Sequence, residues 1–477
     1  MQEYETIIGL EVHIELSSAT KIFCGCSASY GGRPNSHTCP VCLGMPGTLP
    51  VLNKAVVEKA LAVCLALECR IQTECRFDRK NYFYPDNPQN YQITQRYLPI
   101  GEDGFLEIET PDGGKRIGIT EIHMEEDAGK LVHMEGNRET LIDYNRAGVP
   151  LIEIVTQPDF READEVISFL EKLRHVITYL GAGDCKLQEG SMRVDVNLSV
   201  HHAGELLGTR TEMKNLNSFR SVVAAIASER KRQMDLLDSG GEVILETRRW
   251  DDGCMNSFTM RSKEVAEDYR YFPEPDLPPL KITGQQIEQA RNSLPEFREE
   301  RRDRLIRQYG LSREDADLIT DSRILAELFE KTVSFGVSPK QVSNWLIGET
   351  MRILREKEMD PGELAFSAEH FASLISLCAE KRITNAVAKN VYEKMCIRDF
   401  DPNRYVEKNG LEMMTDLTDL TETVKNMIAR NPQSVADYRA GKDKVIGFLV
   451  GQTMKATGGK ADPNLAAQLL RSLLSET

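Results

Sequence analysis

In the stretch from Gly9 to Leu16, acidic and imidazole side chains alternate with aliphatic ones. As a strand it places Leu10, Val12, Ile14 and Leu16 on one face and Glu11, His13 and Glu15 on the other. Next-but-one residues on a strand lie roughly 6.5 to 7 Å apart, so Glu11 and His13 can converge on one cation while Glu15 reaches a neighbour. A solvated acidic edge strand shares this alternation, although Thr, Ser or Lys would be its usual wet-side residues. Three further stretches repeat the habit, and the repetition favours a metal-binding face.

The second stretch, Ile117 to Lys130, ends in Glu125, Glu126 and Asp127. Such a cluster repels itself unless a cation compensates; an exposed acidic turn fits the residues as well, and Glu125 and Glu126 are not ranked as ligands. The third, Ser191 to Val200, puts Met192, Val194, Val196, Leu198 and Val200 on one face and Arg193, Asp195, Asn197 and Ser199 on the other. In the fourth, Arg210, Glu212 and Lys214 share a face. A short Gly-containing connection, His201 to Gly208, joins the last two and predicts an antiparallel hairpin. Carboxylates, a histidine and basic side chains on one sheet face suit divalent ions bridging nucleotide phosphates. Mg²⁺ takes oxygen ligands and keeps waters, so scattered carboxylates serve it better than a closed cage.

A different metal is implied by Cys24, Cys26, Cys39 and Cys42, a C-x-C and a C-x-x-C separated by a Gly/Pro/Ser/Asn-rich loop. Two close thiolate pairs suit a tetrahedral structural zinc with no open catalytic position, and His37 is a bystander. The other seven of the 11 cysteines, Cys64, Cys69, Cys75, Cys185, Cys254, Cys378 and Cys396, read as small buried hydrophobes rather than a disulfide framework.

These residues must be positioned by a large fold. With 477 residues, 41% hydrophobic and 28% charged, the chain predicts two to four domains. No segment approaches ~20 uninterrupted apolar residues and the start lacks a signal-peptide pattern, so a cytoplasmic protein with no membrane contact is expected. A net charge of −15 argues against broad nucleic-acid affinity and requires any such contact to be a local patch. Residues 54 to 67 predict a helix. The aromatic, basic, proline-broken run from Phe77 to Pro88 reads as a loop presenting Arg79, Lys80 and Tyr82. From about Gln285 the pattern turns helical, with caps at Ser312, Ser338, Ser367 and Ser434, a core stripe around Trp345, and a final helix opened by Asp462-Pro463. Lys442, Lys444, Lys455 and Lys460 gather around turns of the last segment. Neither a P-loop, a dinucleotide-binding glycine fingerprint nor a Gly-x-Ser-x-Gly elbow occurs, so ATP handling would not use a P-loop and the chain brings no hydrolytic nucleophile of its own.

Gly9 to Leu16, Phe77 to Pro88, His123 to Lys130, Asn145-Arg146 with Pro150 to Glu153, Lys214 to Phe219 and Asp268 to Asp276 resemble the B-subunit (GatB) family of aspartyl/glutamyl-tRNA amidotransferases. Ala436 to Lys442 and Gly451 to Gly459 resemble that family's YqeY-like tail. The resemblance covers essentially the whole chain and implies an α+β fold. An antiparallel-sheet cradle like the glutamine synthetase and guanidino kinase catalytic fold would span 1–293 with a zinc loop at 24–42. An all-α helical domain at 294–404 and an all-α, tRNA-binding tail at 405–477 would follow.

The implied activity is that of the kinase subunit in a carbon–nitrogen ligase, a heterotrimer completed by an amidase (glutaminase) and a small third subunit. ATP would phosphorylate the side-chain carboxylate of misacylated Glu-tRNA(Gln) or Asp-tRNA(Asn), and ammonia from the amidase would complete amidation. Carried across, Glu11, His13, Glu125, Asp195 and Glu212 hold Mg²⁺, with Glu15 and Glu126 second. Arg193, Arg210 and Lys214 meet phosphate oxygens, with Arg79 and Lys80 also on the nucleotide. The tail residues Lys442, Lys444, Lys455 and Lys460 meet tRNA, and zinc is structural. The competing reading is a non-catalytic tRNA-binding scaffold holding structural ions.

Overall fold

The computed structural model describes residues 4–134, 139–262, 269–414 and 417–475. The chain divides into two compact units, Met1–Phe297 and Arg298–Thr477. The described strands of the first unit are β1 (Tyr4–Glu15), β2 (Arg70–Ile71), β3 (Glu74–Asn81), β4 (Tyr91–Leu98), β5 (Gly101–Thr110), β6 (Gly113–Glu126), β7 (Lys130–His133), β8 (Thr140–Asp143), β9 (Pro150–Thr156), β10 (Met192–His202), β11 (Thr211–Lys214), β12 (Glu246–Asp251), β13 (Asn256–Ser262), β14 (Phe272–Pro273) and β15 (Leu280–Lys281). Its helices are α1 (Lys54–Ala66), α2 (Ala163–Leu180), α3 (Phe219–Asp238) and α4 (Gly284–Asn292).

Nine strands form one sheet in the order β13-β12-β11-β10-β1-β9-β6-β5-β2, antiparallel except for the β11–β12 pair. The alternation read in β1 sets its place at the centre. Leu10, Val12 and Ile14 are buried with Val194, Val196 and Leu198 of β10 and Ile152 and Ile154 of β9. Each such side chain contributes roughly 1.5 to 3 kcal/mol by leaving water. A one-residue slip would drive Glu11 and His13 into that core, so the register is held by burial. Helices α2 and α3 pack on β5 and β10 and cover this apolar face. The α2 helix opens with a Glu162/Glu165 capping box and closes at Gly181, whose φ of 61° a side chain would resist. The hairpin expected from the third and fourth stretches is present, with Asn197 opposite Glu212.

The run from Phe77 is not the loop its composition suggested. Its first part is the strand β3, paired with β4, β14 and β15. Its buried charge has partners: Asp78 sits at a register shift and accepts the Arg96 and Tyr97 backbone N–H groups at 3.0 and 3.3 Å.

The second unit contains α5 (Arg298–Tyr309), α6 (Arg313–Thr320), α7 (Arg323–Val333), α8 (Pro339–Trp345), α9 (Met351–Lys357), α10 (Ala368–Ala379), α11 (Asn385–Ile397), α12 (Pro402–Lys408), α13 (Leu417–Arg430), α14 (Pro432–Arg439), α15 (Val445–Ala456) and α16 (Pro463–Ser475). Ser312, Ser338 and Ser367 stand at helix N-caps. Ser434 does not: Asn431 is the N-cap, followed by Pro432 at the first helical position, and Ser434 lies inside α14. Trp345 is half-buried, edge-on to Tyr392 at 5.2 Å. Leu305 to Val406 build one apolar core and Leu420 to Leu474 another. Helix α12 runs through the expected 404/405 boundary, and Val406 belongs to the earlier core. The whole is a mixed α/β protein with a large N-terminal sheet and a helical C-terminal region. Among the described residues no helix is long and apolar enough to cross a membrane.

Candidate functional site

The polar face of the sheet opens on a cavity of about 1400 Å³. Small-molecule pockets usually occupy about 300 to 1000 Å³, so there is room for more than one substrate group. Its floor comes from β1, β6, β9, β10 and β11, and one wall from Lys80, Asn81 and Tyr82 at the end of β3. Tyr30, Phe83 and Tyr84 line it too and are 71%, 74% and 56% exposed, giving it an aromatic rim.

Strand register brings the polar residues together. Glu11 lies opposite Asp195, and His13 opposite both Arg193 on β10 and Glu153 on β9. Glu153 in turn faces His123 on β6. Two groups of ligand-capable atoms result, each within 4.8 Å: His13, Glu125 and Glu153, and Glu11, Asp195 and Glu212. In the first, His13 Nε2 is 3.4 Å from Glu153 and 3.9 Å from Glu125, and His123 Nε2 is 3.1 Å from Glu153. In the second, the Lys214 ammonium pairs with Asp195 and, at 2.8 Å, with Glu212, while Asn197 donates to Glu11 at 3.0 Å. Thr247 donates to the other Glu212 oxygen at 2.8 Å.

The electrostatics follow from burial and crowding. Burial, then Glu153, pushes the Glu11 carboxyl above its usual range, against the pull of Lys214. Burial would lower His13 and His123, but the surrounding carboxylates hold both up, Glu153 and Glu125 at each and Glu121 also at His123, which is raised to about 10. The two imidazoles hold Glu153 well below the carboxylate range despite burial. Burial and Asp127 raise Glu15 to about 7. Lys80 stays raised against burial because Glu125 lies near. Further along, Arg193 meets Asp127 at 3.1 Å, and Arg146 reaches Asp127 at 3.5 Å while donating to the carbonyls of Ala128 and Gly129 at 2.9 Å.

Of the residues singled out from sequence, His13, Glu15, Glu125, Asp195, Arg193, Lys214 and Lys80 line the cavity, and Glu11 and Glu212 join them through Asp195 without lining it. Others do not. Glu126 points to the other side of β6, accepts from Gln89 and from the Ile93 N–H at 2.9 Å, and is raised by burial to about 8. Arg79, one position from Lys80 and so on the opposite side of β3, is held by Glu274 at 2.6 Å and stacks over Tyr91. Arg210 precedes β11, is exposed and does not line the cavity. Glu153 and His123 were not singled out. Their signal was a lone acid in the apolar run Leu151-Ile152-Glu153-Ile154-Val155, and an imidazole two residues before Glu125. Asp268 lies outside the described residues.

The four sulfurs of Cys24, Cys26, Cys39 and Cys42 lie within 4.8 Å of one another, without His37. Zn–S bonds of about 2.3 Å set a tetrahedral edge near 3.8 Å, and Cys39 and Cys42 are 3.9 Å apart. The geometry fits a four-thiolate metal. Among the other cysteines, Cys254 is exposed and Cys378 half-buried, so burial does not explain all seven. The tail lysines do not form one patch. Lys442 and Lys444 precede α15, Lys455 and Lys460 sit at and beyond its other end, and Lys442 pairs with Asp437 at 2.9 Å. Twelve helical residues separate the pairs by about 18 Å.

Residues 6–288 match the family model described as the GatB/GatE catalytic domain, and residues 327–474 match the GatB domain. The B subunit of the aspartyl/glutamyl-tRNA(Asn/Gln) amidotransferase of Lachnoclostridium phytofermentans is 55% identical over 477 residues, covering 100% of both chains. Its counterpart in Agathobacter rectalis is 56% identical over 99% of this chain and 100% of its own. That of Caldicellulosiruptor saccharolyticus is 52% identical over the same shares. On the sheet face, the cavity and these matches together, the chain belongs to the GatB/GatE family.

Proposed function

We propose that this chain is the kinase subunit of a tRNA-dependent amidotransferase, acting in the cytoplasm within a heterotrimer that an amidase and a small third subunit complete. It would phosphorylate the side-chain carboxylate of misacylated Glu-tRNA(Gln), Asp-tRNA(Asn) or both. The observation that carries the reading is the pair of ligand groups headed by neighbouring β1 residues Glu11 and His13, whose members His13, Glu125 and Asp195 line a cavity roomy enough for a nucleotide and an aminoacyl end. The resemblance to the glutamine synthetase and guanidino kinase catalytic fold, on which ATP is handled without a P-loop, is part of this proposal.

A carboxylate resists attack by ammonia because of its charge and resonance. In the proposed reaction one of its oxygens attacks the γ-phosphorus of ATP, ADP leaves, and the acyl phosphate is then attacked by ammonia with release of phosphate and a proton. Mg²⁺ held by Glu11, His13, Glu125, Glu153, Asp195 and Glu212 would offset the charge of the transferring phosphoryl group. Carboxylate oxygens, joined by one imidazole in the His13 group, suit that ion, whereas the four cysteines suit zinc. The chain's own cations, Arg193, Lys214 and Lys80, line the cavity and would supply the positive charge that meets phosphate oxygens. The aromatic rim offers stacking surfaces for unpaired nucleotides, the usual way single-stranded RNA ends are held.

The test is Glu11→Gln in the assembled enzyme, with ATP-dependent phosphorylation of Glu-tRNA and tRNA affinity measured together. Turnover is expected to fall with tRNA affinity retained. Unchanged turnover would defeat the kinase assignment and leave a tRNA-binding scaffold with structural ions.

A further inference from the structure

The four-cysteine loop is tied to the wall of the cavity by bonds that phosphoryl transfer does not require. Asn35 donates from its backbone to Asp143 and from its side chain to the Ile142 carbonyl, both at 2.9 Å, and accepts from the Tyr144 N–H at 2.8 Å. The His37 N–H donates to the Asn145 side chain, which donates back to the Arg33 carbonyl, both at 2.8 Å. Asn35 adopts φ of 58°, a conformation asparagine tolerates better than most residues. Lys21 completes the junction. Its side chain is fully buried, with Nζ 3.6 Å from Cys42 Sγ and 3.3 Å from the Tyr144 carbonyl oxygen.

The gripped segment carries Arg146. That guanidinium holds the carbonyls of Ala128 and Gly129 and faces Asp127, which is 3.1 Å from Arg193. The backbone repeats the connection: the Gly148 N–H donates to the Asp127 carbonyl at 2.8 Å, and the Gly148 carbonyl accepts from the Ile22 N–H at 3.0 Å. A side chain at Gly129 would crowd the Asp86 and Asp143 carbonyls at 3.0 Å, so this wall has little slack.

We infer that Lys21 and Asn35 are positioning residues of a metal-set latch. A metal held by Cys24, Cys26, Cys39 and Cys42 fixes residues 142–149, and through them Arg146, Asp127 and Arg193 on the cavity wall. The charge argument is direct. Four thiolates around a divalent ion leave a net negative charge, and a buried ammonium needs a counter-charge, so Lys21 and the loaded site stabilise each other. The latch rests on the zinc reading and not on the phosphoryl-transfer reading.

The experiment uses the assembled enzyme. Zinc content and its release to a chromogenic chelator are measured with amide hydrogen exchange across residues 142–149, the strand β1 serving as internal reference. Wild type is expected to carry one zinc per chain. Chelation should raise exchange at 142–149 by at least about tenfold while β1 stays protected. Lys21→Met should release zinc roughly 10- to 100-fold faster, the usual effect of losing an outer partner of a metal ligand. Lys21→Arg should restore retention, because Lys21 borders a cavity of about 220 Å³ that admits the larger cation. Asn35→Ala should keep its zinc yet lose protection at 142–149. Equal exchange in loaded and stripped protein, or Lys21→Met matching wild type in release and exchange, would overturn the latch. Absence of zinc from protein purified without chelator would overturn the zinc reading and the latch together, leaving ATP turnover to be judged separately.

Discussion

Replacing Glu126 by glutamine separates two neighbours whose roles the chain order leaves equal. Glu126 is 9% exposed, on the side of β6 away from the cavity, and burial raises it from 4.5 to about 8. The folded protein therefore holds this proton between those pH values while the unfolded chain has released it. With more protons bound in the folded state, stability falls as pH rises through that interval. At about 1.36 kcal/mol per unit, the whole interval is worth at most ~5 kcal/mol, and the part between pH 5.5 and 8 ~3 kcal/mol. Glutamine resembles the protonated acid, can still accept from Ile93 and has no proton to lose. The difference in urea midpoint between wild type and Glu126→Gln should therefore widen in favour of the variant from pH 5.5 to 8. Comparing the two proteins at each pH avoids assuming that so large a chain unfolds in two states. Turnover of Glu126→Gln should stay within about twofold, under ~0.5 kcal/mol of barrier, whereas Glu125→Gln should lose it. Parallel pH profiles, or loss of turnover in Glu126→Gln, would refute the assignment.

Glu153→Gln should weaken Mn²⁺ binding by at least about tenfold in titration calorimetry, since it removes a ligand of the His13 group. The same change should lower the His123 titration seen by NMR from about 10, because Glu153 is the main charge holding it up; an unmoved His123 would contradict the geometry. In the tail, the double variants Lys442→Ala/Lys444→Ala and Lys455→Ala/Lys460→Ala should each reduce the slope of log Kd for tRNA against log salt by about two. Slopes unchanged in both would take these lysines out of the tRNA contact.

Much of the site was legible in the sequence because a strand's period is 2, so one glance at Glu11, His13 and Glu15 fixes which side chains share a face. The same rule exposed Asp195 and Glu212 and the hairpin that makes them neighbours. Strand order was not legible. That β9 lies between β1 and β6, placing Glu153 between His13 and His123, is a long-range fact with no local signature beyond an acid among aliphatics. Counter-ions misled as well. Arg79 and Lys80 look equivalent in a basic, aromatic run, yet Glu274, almost two hundred positions on, claims Arg79 and leaves Lys80 to the cavity. Composition also hid β3, since its charges are neutralised by partners distant in sequence, as Asp78 is by backbone N–H groups of β4.

The arrangement explains how carboxylates can be gathered without unfolding the sheet that carries them. Lys214 stands between Asp195 and Glu212, His13 and His123 flank Glu153, and Arg193 faces Asp127. These acids therefore have cations of the chain's own, and on the proposed reading an arriving divalent ion would exchange one counter-charge for another instead of entering a self-repelling cluster. The same exchange would free Lys214 from Asp195 and Glu212, leaving its ammonium available to a phosphate. Metal and nucleotide would then bind with positive coupling, each disposing of a charge the other needs moved. Lys214→Met should remove much of that coupling, read as the shift in Mn²⁺ affinity that a saturating nucleotide produces, while leaving the ligand carboxylates in place; an unchanged shift would refute the exchange.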